Sequence, residues 1–128
     1  MILDTSFVIA AEREAKRGVM GAADEFLGAH TARSFFITFT IAGELACGQS
    51  AAAFESWKQL CQPFAILPWT REVSWRYGAI YRQLQARGNL IGANDLWIAA
   101  TAVVHGMPVV TSNVAEFQRV EGLAVVGF

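Results

Sequence analysis

Met1-Ile2-Leu3-Asp4-Thr5-Ser6, followed by Phe7-Val8-Ile9-Ala10-Ala11-Glu12, reads as a very short apolar strand that ends on a carboxylate and turns at once into a helix. A solvated loop gives no reason for an acid at that point. The carboxyl end of a parallel strand does, because an open α/β sheet keeps its ligands in the crevice there. Two questions follow. One is whether the rest of the chain repeats this strand-to-helix unit. The other is whether further acids fall at the same edge.

The unit does repeat. Helices are predicted over residues 6–16 and 22–29, and residues 34–38 form a β-rich second strand. Thr38 or Thr40 can cap the helix that runs through Cys47 to Gly48. Ser50 is expected to cap a helix over residues 51–60, which Pro63 stops, and residues 64–67 read as a buried strand. From Thr70, Val73, Tyr77, Ile80, Tyr81 and Leu84 recur at helical spacing as far as Arg87-Gly88. Asn94 can cap a helix over residues 95–105, closed by Gly106. A strand at 109–111, a helical turn at 115–118 and a last strand at 123–126 complete the pattern. Short apolar strands alternating with helices predict an α/β fold, its parallel sheet covered on both faces.

The chain has 128 residues, enough for one domain spanning 1–128 with a continuous core, and no repeat or linker interrupts it. It is 54% hydrophobic and only 16% charged, a balance that implies a strand-rich interior and apolar surface for a partner to cover. A net charge of −1 excludes a global positive field, so any contact with phosphate must be local, through arginines or a metal ion. Cys47 and Cys61 belong to no CxxC pair and read as buried free thiols of a reducing compartment. No secretory signal and no run long enough for a membrane helix is visible, so a cytoplasmic protein with no membrane partner is expected.

The acids converge. Asp4 ends strand one, Glu44 is expected in about the first turn of the helix leaving strand two, and Asp95 opens a helix antiparallel to the fourth strand. Asn113 follows that strand, with Glu116 three residues on. All fall at the carboxyl edge. Two unit charges about 4 Å apart repel by roughly 4 kcal/mol at an effective dielectric near 20, while a helix N-terminus offsets only about 0.3–1 kcal/mol. A hard divalent cation accounts for such a cluster, and oxygen ligands select Mg²⁺ or Mn²⁺. Without HExxH or a Cys/His set, zinc is not expected. Mg²⁺ completed by substrate phosphate oxygens points to phosphodiester hydrolysis. Each acid also has a structural reading. Asp4 suits a turn, Glu44 and Asp95 suit helix beginnings, and Asn113 with Glu116 has the capping-box spacing.

Ile2-Leu3-Asp4-Thr5-Ser6, Thr40-Ile41-Ala42-Gly43-Glu44-Leu45, Gly92-Ala93-Asn94-Asp95-Leu96-Trp97-Ile98-Ala99-Ala100 and Val110-Thr111-Ser112-Asn113 with Glu116-Phe117 together resemble a PIN domain, and more narrowly the VapC-type toxins of bacterial toxin–antitoxin pairs. The resemblance spans essentially the whole chain in the family's order. It implies a five-stranded α/β/α sandwich and a metal-dependent endoribonuclease leaving 5′-phosphate and 3′-hydroxyl ends. By that resemblance Asp4, Glu44 and Asp95 match the family's Mg²⁺- or Mn²⁺-binding acids, with Asn113 as a further catalytic ligand. Thr5, Thr111 and Glu116 are auxiliary, Glu116 acting only indirectly. A cognate antitoxin, an RNA substrate and a homodimer are the implied partners. Asn113 stands where the family often has an acid, which leaves a second metal open and keeps a catalytically impaired RNA- or protein-binding module as the alternative. A phosphatase is disfavoured, since Asp4-Thr5-Ser6 lacks a second Asp two residues on and no Gly-rich phosphate loop is present.

His105, in a last helical turn, suits the helix dipole, and His30 suits a surface turn. Arg76, Arg82 and Arg87 share one helix that either contacts RNA phosphates or is simply solvated. Trp57, Trp69 and Trp75 fit base stacking, a partner surface or the core.

Overall fold

A computed structural model describes residues 1–128. Five parallel strands form one sheet in the order β3-β2-β1-β4-β5. They are β1 (Ile2–Leu3), β2 (Phe36–Thr38), β3 (Ala65–Leu67), β4 (Val109–Val110) and β5 (Val125–Val126). The helices are α1 (Thr5–Arg17), α2 (Ala22–Ala29), α3 (Phe39–Ala46), α4 (Phe54–Cys61), α5 (Arg71–Ala86), α6 (Ala93–His105) and α7 (Val114–Phe117). Because the chain moves outward from β1 to β3 and then crosses to β4 on the other side, right-handed crossovers place the connecting helices on opposite faces. The reversal falls beside β1. That is where a doubly wound sheet opens its crevice.

The strands are short because each supplies only the residues between a turn and a helix cap. Ile2 is in register with Phe36 on one side and Val109 on the other, and Leu3 with Val110. Ile2, Leu3, Phe7, Ile37, Val109, Val110 and Phe117 are fully buried and anchor the core. Ala99, Ala100 and Ala102 let α6 lie close to it, and Thr101, also buried, returns its hydroxyl to the Trp97 carbonyl at 2.8 Å. Gly106 closes α6 at φ 62°, a left-handed conformation that costs a side-chain-bearing residue about 1 kcal/mol or more. No helix is long and apolar enough to cross a membrane.

Several expectations change in detail. Strands two, four and five are shorter than predicted, covering Phe36–Thr38, Val109–Val110 and Val125–Val126. Thr38, not Thr40, caps α3, accepting from Ile41 N at 3.2 Å, and the Thr40 hydroxyl is buried without a partner. Ser50 caps nothing. It lies in a 3-10 turn, Gln49–Ala51, and donates to Glu12 at 3.4 Å, while α4 starts at Phe54. The strand expected to be buried, β3, is an edge strand with Ile66 41% exposed, because no element covers its outer side. Cys61 is buried, but Cys47 is exposed at the end of α3. Gly92, not Asn94, is the N-cap of α6. His30 ends α2, stacked on Phe26 at 4.1 Å. Trp57 packs on the core and donates to the Ala42 carbonyl at 2.9 Å, whereas Trp69 and Trp75 are exposed.

One contact between helices was invisible in the sequence. Gly21 precedes α2 and offers no side-chain cap, so Glu14 of α1 caps that helix from outside, accepting from Ala23 N at 3.2 Å and Asp24 N at 2.9 Å. A Cβ at residue 21 would collide with this carboxylate. Gly21→Ala should therefore expel Glu14 and destabilise the fold by about 1–2 kcal/mol. Glu14→Ala should cost a similar amount. In denaturant unfolding the double variant should cost no more than either single one, because both remove the same cap. Additive losses would show that the two positions act separately.

Candidate active site

Asp4 leaves β1 as the N-cap of α1, and the residue is only 6% exposed. A buried carboxylate needs donors, and three are present. Oδ1 accepts from Thr5 N at 2.8 Å, and Oδ2 accepts from Thr111 Oγ1 at 2.7 Å and Ser6 Oγ at 3.2 Å. The two hydroxyls are themselves held by the loop after β4. Thr111 Oγ1 accepts from Asn113 N at 2.9 Å, and Ser6 Oγ accepts from Ser112 N at 3.2 Å. Two hydroxyl bridges thus join the ends of β1 and β4 through one carboxylate.

Glu44 lies in the second turn of α3, close to the turn expected for it, because Thr38 starts the helix at Phe39. Its Oε1 accepts from Thr5 Oγ1 at 3.1 Å. Burial raises its carboxyl above the ordinary range, the Thr5 hydrogen bond opposes that rise, the charge of Asp4 adds to it, and hydrogen bonding with Asn94 opposes it. Asp95 occupies the first turn of α6. Burial, then hydrogen bonding with Glu116, then the charges of Asp4, Glu116 and Glu44 push its carboxyl up to about 7. Four carboxyls from four separate segments therefore act on one another.

Asn113 enters through its backbone N–H and makes no side-chain cap, so the capping box suggested by the spacing is not formed. Glu116, expected to act only indirectly, faces Asp95 directly. Ser6 and Asn94 also reach the acids and were not singled out as site residues. Their adjacency to Asp4 and Asp95 was the available signal.

As the side chains stand, no three of the carboxyls close around a common point tightly enough to enclose an ion. Hydroxyls hold Asp4 and Glu44, and the proton on Asp95 relieves its repulsion with Glu116. The donor chemistry nonetheless fits a hard divalent cation. Every group facing the cluster is an oxygen donor or an amide, with no thiol or imidazole among them, and a cation would relieve the repulsion the proton now relieves.

Fold and site together define a doubly wound α/β protein with acids gathered at the carboxyl edge of a parallel sheet. The chain belongs to the PIN-domain family, whose pattern matches residues 1–123. It is similar to Ribonuclease VapC1 of Rickettsia felis, with 32% identity over 98% of this chain and 93% of that protein. Among solved structures it resembles VapBC2 of Rickettsia felis bound to a promoter DNA fragment, at a TM-score of 0.81 and 20% identity, covering 99% of this chain and 97% of that one. It also resembles VapBC-5 of Mycobacterium tuberculosis, a member of the VapBC family of toxin–antitoxin systems, at a TM-score of 0.69 and 23% identity over 99% and 97% of the two chains. At these identities the structural likenesses speak for the fold.

The proton on Asp95 has a thermodynamic consequence. An aspartate with an ordinary value of 3.8 that holds its proton to about 7 when folded makes the native state bind more protons across that window. Stability then falls as pH rises through it. In the presence of chelator, Asp95→Asn should be more stable than the parent above pH 7 by about 1 kcal/mol after solvent screening, a Tm gain of a few degrees. Near pH 4 the gain should vanish. Thermal unfolding from pH 4 to 8 checks this, and a difference independent of pH contradicts it.

Proposed function

We propose that this chain is a Mg²⁺- or Mn²⁺-dependent endoribonuclease, the toxin of a toxin–antitoxin pair, with residues 1–128 acting as one PIN domain. The observation that carries this reading is the convergence of Asp4, Glu44 and Asp95, from three separate segments, at the crevice beside β1, where the charges of Asp4 and Glu44 bear on Asp95. The similarity to a protein named Ribonuclease VapC1 supports RNA as the substrate.

In this reading Asp4, Glu44 and Asp95 hold the cation, Asn113 contributes as a further ligand, and Glu116 does more than an indirect residue would, because it faces Asp95. When bound, such a cation polarises a phosphoryl oxygen and makes water acidic enough to serve as a nucleophile. The protein's own part is to present the oxygens. Thr111 and Ser6 fix the Asp4 carboxylate, and Thr5 fixes Glu44. Burial and the neighbouring Glu116 raise the Asp95 carboxyl, so Asp95 would have to lose its proton to hold a cation. Thr5 and Thr111 are thus positioning residues.

We further assign to this chain a cognate antitoxin, a homodimeric state and a cytoplasmic location, where its RNA substrate is found. An apolar groove of about 480 Å³, lined by Val8, Ala11, Leu27 and Phe64 among others, supports a protein partner. A catalytically impaired RNA- or protein-binding module is the second reading, favoured by the open spacing of the acids and by the neutral Asn113.

Asp4→Asn should lower Mn²⁺-dependent cleavage of a long single-stranded RNA by about a hundredfold or more while circular dichroism shows the fold retained. Undiminished cleavage would refute the assignment. RNA binding by the parent without cleavage in Mn²⁺ would establish the binding module instead.

A further inference from the structure

The acids that make the crevice suitable for a cation make it hostile to RNA, and a chain of net charge −1 offers no general attraction. Affinity for a polyanion must come from basic groups close to the crevice. The arginines that the sequence suggested are poorly placed. Arg87 is ion-paired with Glu121, and Arg82 sits over the Trp75 ring at 5.6 Å. Arg76 lines a groove with Trp75, Val103 and Val104, at the end of α6 away from Asp95.

A different pocket touches the site itself. Between the second half of α1 and the end of α3 lies a cavity of about 260 Å³ whose lining includes Glu44, Arg13, Lys16, Glu12, Ser50 and Leu45. Lys16 is anchored by Glu12 at 2.7 Å, and Ser50 holds the other Glu12 oxygen at 3.4 Å, so the pocket wall is built. Arg13 is different. The ion pairs of the chain are Lys16–Glu12, Lys58–Glu55 and Arg87–Glu121, which leaves the Arg13 guanidinium without a direct ion pair, its charge reaching Glu12 only at a distance, on the rim of a pocket that opens beside Glu44.

We propose that this pocket binds a backbone phosphate of the RNA strand flanking the scissile bond, with Arg13 as the primary contact and Lys16 as the second. The inference rests on the endoribonuclease reading and names the part of the protein that holds the substrate. A guanidinium offers paired donors in the geometry of a phosphate, and one with no partner gives up no ion pair to make the contact. Lys16, already paired, adds positive potential more than a new bond. Glu12, already paired with Lys16, and Glu44 oppose any anion in the pocket. A cation held by Glu44 would remove half of that opposition, so phosphate capture and metal loading reinforce each other.

The test compares Arg13→Gln, Arg13→Lys and Arg17→Gln in the full chain. Arg17→Gln removes the same charge from the same helix outside the pocket. Binding is measured by titrating a labelled single-stranded RNA of mixed sequence into Asp4→Asn carrying each change, across a salt series. Cleavage is measured in the parent background with Mn²⁺. Arg13→Gln should weaken binding about tenfold and reduce the slope of log K against log salt by about 0.7, the loss of one single-strand phosphate contact. It should raise KM far more than it lowers kcat. Arg13→Lys should restore part of the affinity and all of the slope, and Arg17→Gln should move neither. Equal effects of Arg13→Gln and Arg17→Gln would reduce the subsite to net charge and overturn it, as would unchanged binding or loss of antitoxin binding alone. A parent that neither binds nor cuts RNA would overturn the endoribonuclease reading as well. A parent that cuts RNA regardless of residue 13 would overturn only the subsite.

Discussion

The hydrogen bond from the Thr111 hydroxyl to Asp4, at 2.7 Å between residues 107 apart in sequence, is the constraint on which the rest of the architecture turns. It forms because β1 and β4 pair with Leu3 opposite Val110, which sets the residue after each strand side by side. A slip of one residue would send Thr111 to the other face of the sheet and leave a buried carboxylate short of a donor. The apolar pairing that builds the core and the polar pairing that builds the crevice thus demand the same register. Each penalises the misalignments that the other would tolerate.

Around that point the protein assembles negative charge it cannot fully neutralise by itself. Hydroxyls donate to Asp4 and Glu44, while burial and then the neighbouring acids push the Asp95 carboxyl up to about 7. This order of preference is physical. The most buried acid, Asp4, receives the most donors. The supporting hydroxyls come from the first turn of α1, Thr5 and Ser6, and from Thr111 just after β4.

Much of the fold was legible because strand and helix punctuation agreed. Apolar pairs gave the strands, and Thr38 and Gly106 act as the caps that their residue types suggest. The errors came where a side chain had a better partner elsewhere. Ser50 looked like a cap but hydrogen-bonds Glu12 across the chain, and Asn94 looked like a cap but turns toward Glu44. β3 has the composition of an interior strand but lies at the edge, and only the strand order, which composition does not encode, reveals that. At the crevice, Asp4, Glu44 and Asp95 could be picked out because each follows a recognisable junction. Spacing pairs Glu116 with a local cap, whereas the carboxyl it acts on, Asp95, is remote in sequence. Pairwise contacts between distant segments are the layer that a single sequence conceals.

The open flank of the sheet leaves one more mark on the chain. β3 offers unpaired amide and carbonyl groups along its outer side, with Ile66 turned to solvent, the usual template for one sheet to grow onto another. Here the exposed ladder is three residues long, and Pro63 and Pro68 stand on either side of it. Neither ring nitrogen can donate a hydrogen bond, so a strand docking there finds too few rungs to hold. The molecule therefore carries its own guard against fibrous stacking, written in two imino acids that contribute nothing to the crevice on the far side of β1.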